Sequence, residues 1–464
     1  MHFCPQEDSN MEYKYDFREL EARDKKMKDE AWAALGERLP EGVRESIITG
    51  LKALYSLYTP DMIVWLANLY DPSTGGFYCS NSARDNDRFL PDIESTYYAF
   101  CFVEDLGLAE MFDNDYIKAL PDWVKDRAAD WIYSLQDEDG YFYHPQWPKS
   151  YIQENSRYSR ISRDYNSGRV LLKRFGKELK YPDKDTGTKK NSSAGAVLPQ
   201  FASDEAFVEH LKKLEEQIEG VSDERRAYKF YEFGNSFQST VGFMTEKMKD
   251  MLEAFFDKHQ NPENGLWSEG YHFDSTNGVH KIAAVYNGIG REMKYVDKMV
   301  ESTIKILKFD PKTTPARYGV DIYNAWSAFP YIYRNIRNFS SGDEKTREAR
   351  CLEIKSLVFE NAEDMIKNSA ENAAGFGYPD GSFGYGRNTV GSCGTMQGCP
   401  CAIHGAKEGD LDGVSNVMIG LNNCIFGALE LSDNIVPIYS EKERITFIKT
   451  LEELDRAYRE KGQK

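Results

Sequence analysis

Apolar positions recur every three to four residues along most of the 464-residue chain, the spacing of one buried helical face. Strand-like alternation is scarce and no hairpin signature stands out, so the expected fold is all-α with very little sheet. Residues 18–38 and 42–56 read as a helical pair with charged outer faces, an N-terminal extension over 1–56 that packs on the rest. The remainder, 57–464, reads as one unit. Between 177 and 203 the chain turns polar, and this stretch reads as an insertion loop.

Superimposed on the helical period is an irregular repeat. Each copy ends a helix, makes a Gly turn followed by an aromatic, and after a variable loop opens a new helix. The first copy holds Gly75-Gly76-Phe77, then Asp92-Ile93-Glu94-Ser95, and closes at Leu106-Gly107. The second holds Gln136, Gly140-Tyr141-Phe142, then Asp164-Tyr165-Asn166, and closes at Phe175-Gly176. The third holds Gly265-Leu266-Trp267, then Asp274-Ser275-Thr276-Asn277, and closes at Ile289-Gly290. The fourth holds Gly381-Ser382-Phe383, then Asp410-Leu411-Asp412-Gly413, and Asp321-Ile322-Tyr323-Asn324 opens one more helix. Glycine supplies the left-handed residue that ends a helix, and Asp, Asn or Ser before the next helix is its N-cap. Such copies at unequal spacing predict stacked helix hairpins with their insertions on one face.

Gln136-x-x-x-Gly140-x-Phe142 resembles the QW motif of the terpenoid cyclase and protein prenyltransferase superfamily, with Phe in place of Trp. The segment from Asp92-Ile93-Glu94-Ser95 to Leu106-Gly107 is similar to the start of that superfamily's inner helices. This resemblance spans about residues 60–435 and implies an (α/α) toroid of about six helical hairpins around a central cavity. Several glycan lyases and hydrolases share the architecture, so the resemblance speaks to fold before function.

In such a toroid the inner helices begin at one mouth of the cavity. That would gather Asp92 and Glu94, Asp164 and Asn166, Asp274 and Asn277, Asp321 and Asn324, and Asp410 and Asp412. Each alone fits a helix cap, but the pairs Asp92/Glu94 and Asp410/Asp412 exceed what capping needs. Crowded carboxylates would raise one pKa and set an acid beside a base. The segment Trp267 to Lys281 adds Tyr271 and two of the seven histidines, His272 and His280, as candidate proton carriers. Substrate contacts are expected from Trp267, Tyr271, Asn277, Arg317 and Tyr318. Arg84 and Arg88 are candidates for an anionic substrate group, or for ion pairs within their own loop. Arg387 is a comparable rim candidate.

Thiols and an imidazole in Cys393 to His404 raise the question of zinc at Cys399, Cys401 and His404. Cys-x-Cys is tight for a structural site, however, and no second pair completes it, so no cofactor is expected.

Net charge is −17, which repels phosphate backbones and anionic lipid and argues against nucleic acid or a membrane as partner. The first eight residues carry neither a basic stretch nor an apolar core, and the eight cysteines are scattered, so a reducing, cytoplasmic setting is expected. Aromatic content of 13% suits a helical core, and equally a cavity for sugars or hydrocarbons. Nucleotide-binding loops, the serine-hydrolase elbow and the His-Glu-x-x-His zinc signature are absent. The leading expectation is an enzyme acting on an oligosaccharide or other small molecule, as lyase or glycoside hydrolase, by acid–base chemistry at the cavity mouth. A terpenoid cyclase or prenyltransferase-like enzyme and a non-catalytic binding toroid stand as alternatives, and the number of subunits is left open.

Overall fold

Helices occupy the segments with the apolar period. The computed structural model describes residues 17–151, 159–181, 199–396 and 399–462, so most of the polar 177–203 stretch and the first sixteen positions lie outside the described residues. Two helices lead, α1 (Phe17–Arg38) and α2 (Arg44–Tyr55). There follow α3 (Asp61–Asn68), α4 (Ile93–Asp105), α5 (Asp122–Ser134), α6 (Ser159–Arg174), α7 (Asp204–Glu216) and α8 (Asp223–Gln238). Then come α9 (Glu246–His259), α10 (Phe273–Ile289), α11 (Val296–Leu307), α12 (Gly319–Phe339) and α13 (Glu344–Ala374). The next helix, α14, starts as Leu411–Val414, passes through a π-turn at Ser415–Gly420 and continues as Leu421–Ala428. The last, α15, is Glu441–Gly462. Among the described residues the only β ladder pairs Thr395–Met396 with Cys399–Pro400, so the fold is all-α with very little sheet, as the periodicity predicts.

The Gly–aromatic turns explain how the hairpins stack. Tyr70 pairs with Phe77, Gln136 with Phe142 and Gly377 with Phe383, each as a single antiparallel bridge across its turn. The Gln136 side chain donates from Nε2 to the Gly140 carbonyl (3.0 Å), and Gln260 does the same for Gly265 (2.9 Å). Gln260 thus plays the part of the motif glutamine in the third copy, one residue further from its glycine. The aromatics that follow plug the space between neighbouring helices. Phe77 packs on Phe100 of α4 and Phe447 of α15, and Trp267 packs on Phe230 of α8 and Phe256 of α9.

Two glycines show how tight this stacking is. Gly265 (φ 71°) and Gly381 (φ 80°) are left-handed, and a Cβ on them would stand 2.5 Å from the amide of Met299 and 2.4 Å from that of Met62. Each turn therefore lies directly on backbone, at the start of α11 and of α3. Backbone cannot step aside, so Gly381→Ala is expected to cost about 2–4 kcal/mol, read as a lower urea midpoint at unchanged slope.

Because the fourth turn rests on α3, the repeat region begins and ends at one place. The Leu411 amide donates to the Cys79 carbonyl (3.0 Å), and Tyr58 donates its hydroxyl to Val417 (3.2 Å). The helices that open after the repeat turns, with α8 and α12, touch in the order α6, α4, α14, α12, α10, α8, so α14 packs against α4. The extension joins from outside, α2 against α13 and α1 against α15.

Candidate functional site

A cavity of about 830 Å³ opens where α8, α10 and α12 begin, walled on the far side by the segment from Tyr385 to His404. Helix capping shapes this mouth. Asp321 accepts the amides of Arg317 (3.1 Å) and Tyr318 (3.0 Å) and the Asn277 side-chain amide (3.0 Å), so its charge is used in holding α12 against α10. Asn324 donates back to Asn277 (3.1 Å). His272 is the N-cap residue of α10, and its Nε2 lies 2.8 Å from Asp223.

Five tyrosines line the space: Tyr228, Tyr231, Tyr271, Tyr318 and Tyr385. Cations sit over several of the rings, Arg225 over Tyr228 (4.8 Å), Lys305 over Tyr271 (3.5 Å) and Arg317 over Tyr318 (5.4 Å). Asp274 also faces the cavity. Burial, with the Asp321 charge behind it, pushes its carboxyl up to about 6.

Tyr385 and Cys393 belong to the wall of this mouth, and the charge of Asp412 acts on both. Burial pushes the Asp412 carboxyl up to about 8; Asp410 and Glu94 add to the rise and Arg163 opposes it. Among the described residues its carboxyl accepts no hydrogen bond, and the residue keeps some exposed surface.

Tyr98 of α4 and Tyr323 of α12 both feel the charges of Asp412 and Arg163, and Tyr323 also feels Tyr231 of α8. Lys281 of α10 feels Arg163 of α6 and Cys424 of α14. One or two side chains from each of α4, α6, α8, α10, α12 and α14 thus share one electrostatic neighbourhood.

The paired acids divide their work. Asp92 and Asp410 are N-caps, accepting from the Ser95 amide (2.9 Å) and the Gly413 amide (2.6 Å). Asp410 also takes the Cys393 amide (2.8 Å) and so ties the cavity wall to the start of α14. The acid two positions later is free of the capping task. Glu94 is held by Arg160 (3.0 Å) and Arg163, and Asp164 is bound by Arg160. Asp274 stands at the same position of α10 as Glu94 does of α4 and Asp412 of α14.

Of the residues singled out in the sequence, His272, Asp274, Tyr271, Asn277, Arg317, Tyr318, Asp321 and His404 line the mouth, and Glu94 and Asp412 lie near one another, two positions after their helix caps. The others lie elsewhere. His280 is buried within α10 and α12, 2.7 Å from Asn324 and against the Tyr331 ring, and burial holds it down to about 3. Trp267 donates its indole N–H to the Phe256 carbonyl (2.9 Å) in the core. Arg84 pairs with Asp85, Arg88 bonds Asn86, and Arg387 braces Ala316 and Asn372 from behind the wall.

Cys399 and Cys401 are buried, with Cys401 beside Cys79, whereas His404 turns to the Cys393 carbonyl at the mouth. No three His, Cys, Asp or Glu side chains among the described residues cluster as metal ligands would. Arg163, Lys281, Tyr231, Tyr323 and Tyr385 carry no sequence signal; each reads as an ordinary position of an amphipathic helix or loop.

No helix among the described residues is long and apolar enough to cross a membrane. Neither a scan against protein families nor searches of curated proteins and of solved structures return a significant match.

Proposed function

We propose that the protein is a general acid–base enzyme acting on oligosaccharides, built as a closed α/α toroid of the kind its QW-like repeats resemble. The observation that carries this reading is Asp412, a carboxyl with no hydrogen-bond partner among the described residues, two positions after the cap of α14 and close enough to Tyr385 and Cys393 of the tyrosine-rich mouth for its charge to act on both. With its pKa raised to about 8 it holds a proton at neutral pH, whereas Asp274, at about 6, is mostly ionised. Two carboxyls held apart in this way supply a donor and an acceptor in one cavity.

On a glycoside, Asp412 gives its proton to the leaving oxygen and Asp274 takes one from the attacking water. The tyrosine faces suit sugar rings, and Arg225 and Arg317 suit a hydrophilic ligand at the entrance. If the same groups served β-elimination, Asn277 and a tyrosine would replace water as partners. A terpenoid substrate would use Asp412 to protonate a double bond, but the charged entrance favours sugars. The described cysteines are free thiols, which agrees with a reducing, cytoplasmic setting.

The test is a mass-spectrometric screen of neutral and uronate-containing oligosaccharides, with an isoprenoid arm and with Asp412→Asn as control. Products heavier by one water that vanish in the variant support hydrolysis. Unsaturated products of unchanged total mass point to elimination, and a cyclised isoprenoid transfers the acid to terpenoid chemistry. Turnover that survives Asp412→Asn unchanged, or no turnover of any substrate, removes the proposal.

A further inference from the structure

His272 and Asp223 form a pair at the mouth that anchoring the backbone does not require. Asp223 is the first residue of α8, and its carboxylate takes three donors from the segment leading into α10: the Glu269 amide (2.7 Å), the Gly270 amide (2.7 Å) and His272 Nε2 (2.8 Å). The two amides suffice to pin that segment to α8. The ring adds a third bond, at a place where no bulk fits. A Cβ on Gly270 would stand 2.9 Å from the Asp223 carboxylate and 3.0 Å from His272 Nε2, so glycine keeps the point where the two meet clear.

The chemistry of the partner fixes what the ring presents. A carboxylate only accepts, so Nε2 carries the hydrogen, and in the uncharged ring Nδ1 is left with a lone pair. His272 is the N-cap residue of α10, yet its side chain makes no capping bond. Among the described residues Nδ1 has no hydrogen-bond partner. The residue lines the cavity of about 830 Å³, and its side chain keeps 30% of its surface exposed. Nδ1 is thus an acceptor held in place for a group that enters.

We propose that His272 accepts a hydrogen bond through Nδ1 from a hydroxyl of the substrate, and that Asp223 is the positioning residue that keeps the ring in the tautomer able to do so. The inference rests on the acid–base reading of the same cavity and narrows its substrate class: the sugar unit at the mouth is neutral. A bare ring nitrogen meets a hydroxyl as acceptor to donor, whereas a carboxylate would set lone pair against lone pair beside the charge of Asp223. Glu224, Asp274 and Asp321 line the mouth together with Arg225 and Arg317, so it offers no net positive charge to an anionic sugar.

Nitrogen-15 NMR of the full-length protein with labelled histidines tests it, the His272 signals being those absent from His272→Gln. The uncharged ring is expected to carry its hydrogen on Nε2, and Asp223→Asn, whose amide can donate to the ring, to shift it toward the Nδ1–H form. Cellotriose, maltotriose and trigalacturonate are then added, with calorimetry for affinity. A neutral trisaccharide is expected to move the Nδ1 resonance, and His272→Gln and Asp223→Asn each to weaken its binding about tenfold at unchanged helix content. Hydrogen on Nδ1 in the wild type, no neutral trisaccharide that moves the resonance, tighter binding of the uronate, or unchanged affinity in both variants overturns the inference. Neither measurement needs turnover. A protein that binds through His272 yet cleaves nothing would sink the acid–base reading alone, and one whose cleavage depends on Asp412 but not on His272 would sink only this inference.

Discussion

Asp412→Asn is expected to lower turnover by about 10²–10⁴-fold and to make the folded protein more stable. The first effect is loss of the proton donor. The second follows from the direction of the pKa shift. Asp412 in the folded protein titrates near 8, far above an unfolded aspartate, so folding favours its protonated form. Stability from this group is therefore full below about pH 4 and declines as pH rises toward 8, by several kcal/mol in order of magnitude. Asparagine, neutral at every pH, escapes that decline. The variant's melting temperature should match wild type near pH 4 and exceed it increasingly up to pH 8.

Activity in the wild type needs Asp412 protonated and Asp274 ionised, so kcat/KM should be bell-shaped with limbs near 6 and 8. Asp274→Asn should flatten the acid limb. A melting curve for Asp412→Asn that falls below wild type at pH 8 would mean the carboxyl is ionised and paired after all.

Arg160→Met is expected to cost the fold about 3–5 kcal/mol at neutral pH. Arg160 is fully buried between Glu94 and Asp164, over the Trp147 ring. Even with this guanidinium present, burial pushes Asp164 up to about 7. Without it Asp164 is left in a space that cannot solvate it, and Glu94 keeps Arg163 but loses its buried partner. The Asp164 carboxyl, already raised, would rise further, so the penalty should be largest at high pH and shrink as it protonates toward pH 4. Urea unfolding at pH 8 and pH 4.5 reads this directly. The triple variant Arg160→Met, Glu94→Gln, Asp164→Asn should recover most of the loss, because it removes the stranded charges along with their partner.

What could be read from sequence depended on how local its cause was. Gly265 and Gly381 were legible because a left-handed turn needs no distant partner to be recognised, and Asp92 and Asp410 because an N-cap acts on its own helix. Glu94 and Asp412 stood out as acids beyond the capping requirement. Arg84 and Arg88 look like ligand-binding arginines in sequence, yet Asp85 and Asn86 beside them satisfy both. His280 sits in a segment dense with polar residues, and only the approach of α12 makes it a buried partner of Asn324. Lys281 and Arg163 were invisible for the converse reason. A lysine or arginine on a helix normally points to solvent, and nothing within its own helix says which charges the neighbouring helices bring near it. Gln260 escaped because its turn is one residue longer than that of Gln136.

The π-turn at Ser415–Gly420 bears on how the chain can be lengthened or shortened. A regular α-helix would set positions 412 and 424 roughly 120° apart around its axis. The extra residue that a π-turn takes up reduces that to about 20°, so Asp412 and Cys424 leave α14 on nearly the same side. Deleting any one residue between 415 and 420 should leave the helix content seen by circular dichroism unchanged and still turn either the acid or the thiol into the wall. In α14 the count of residues, more than their identity, decides which groups meet.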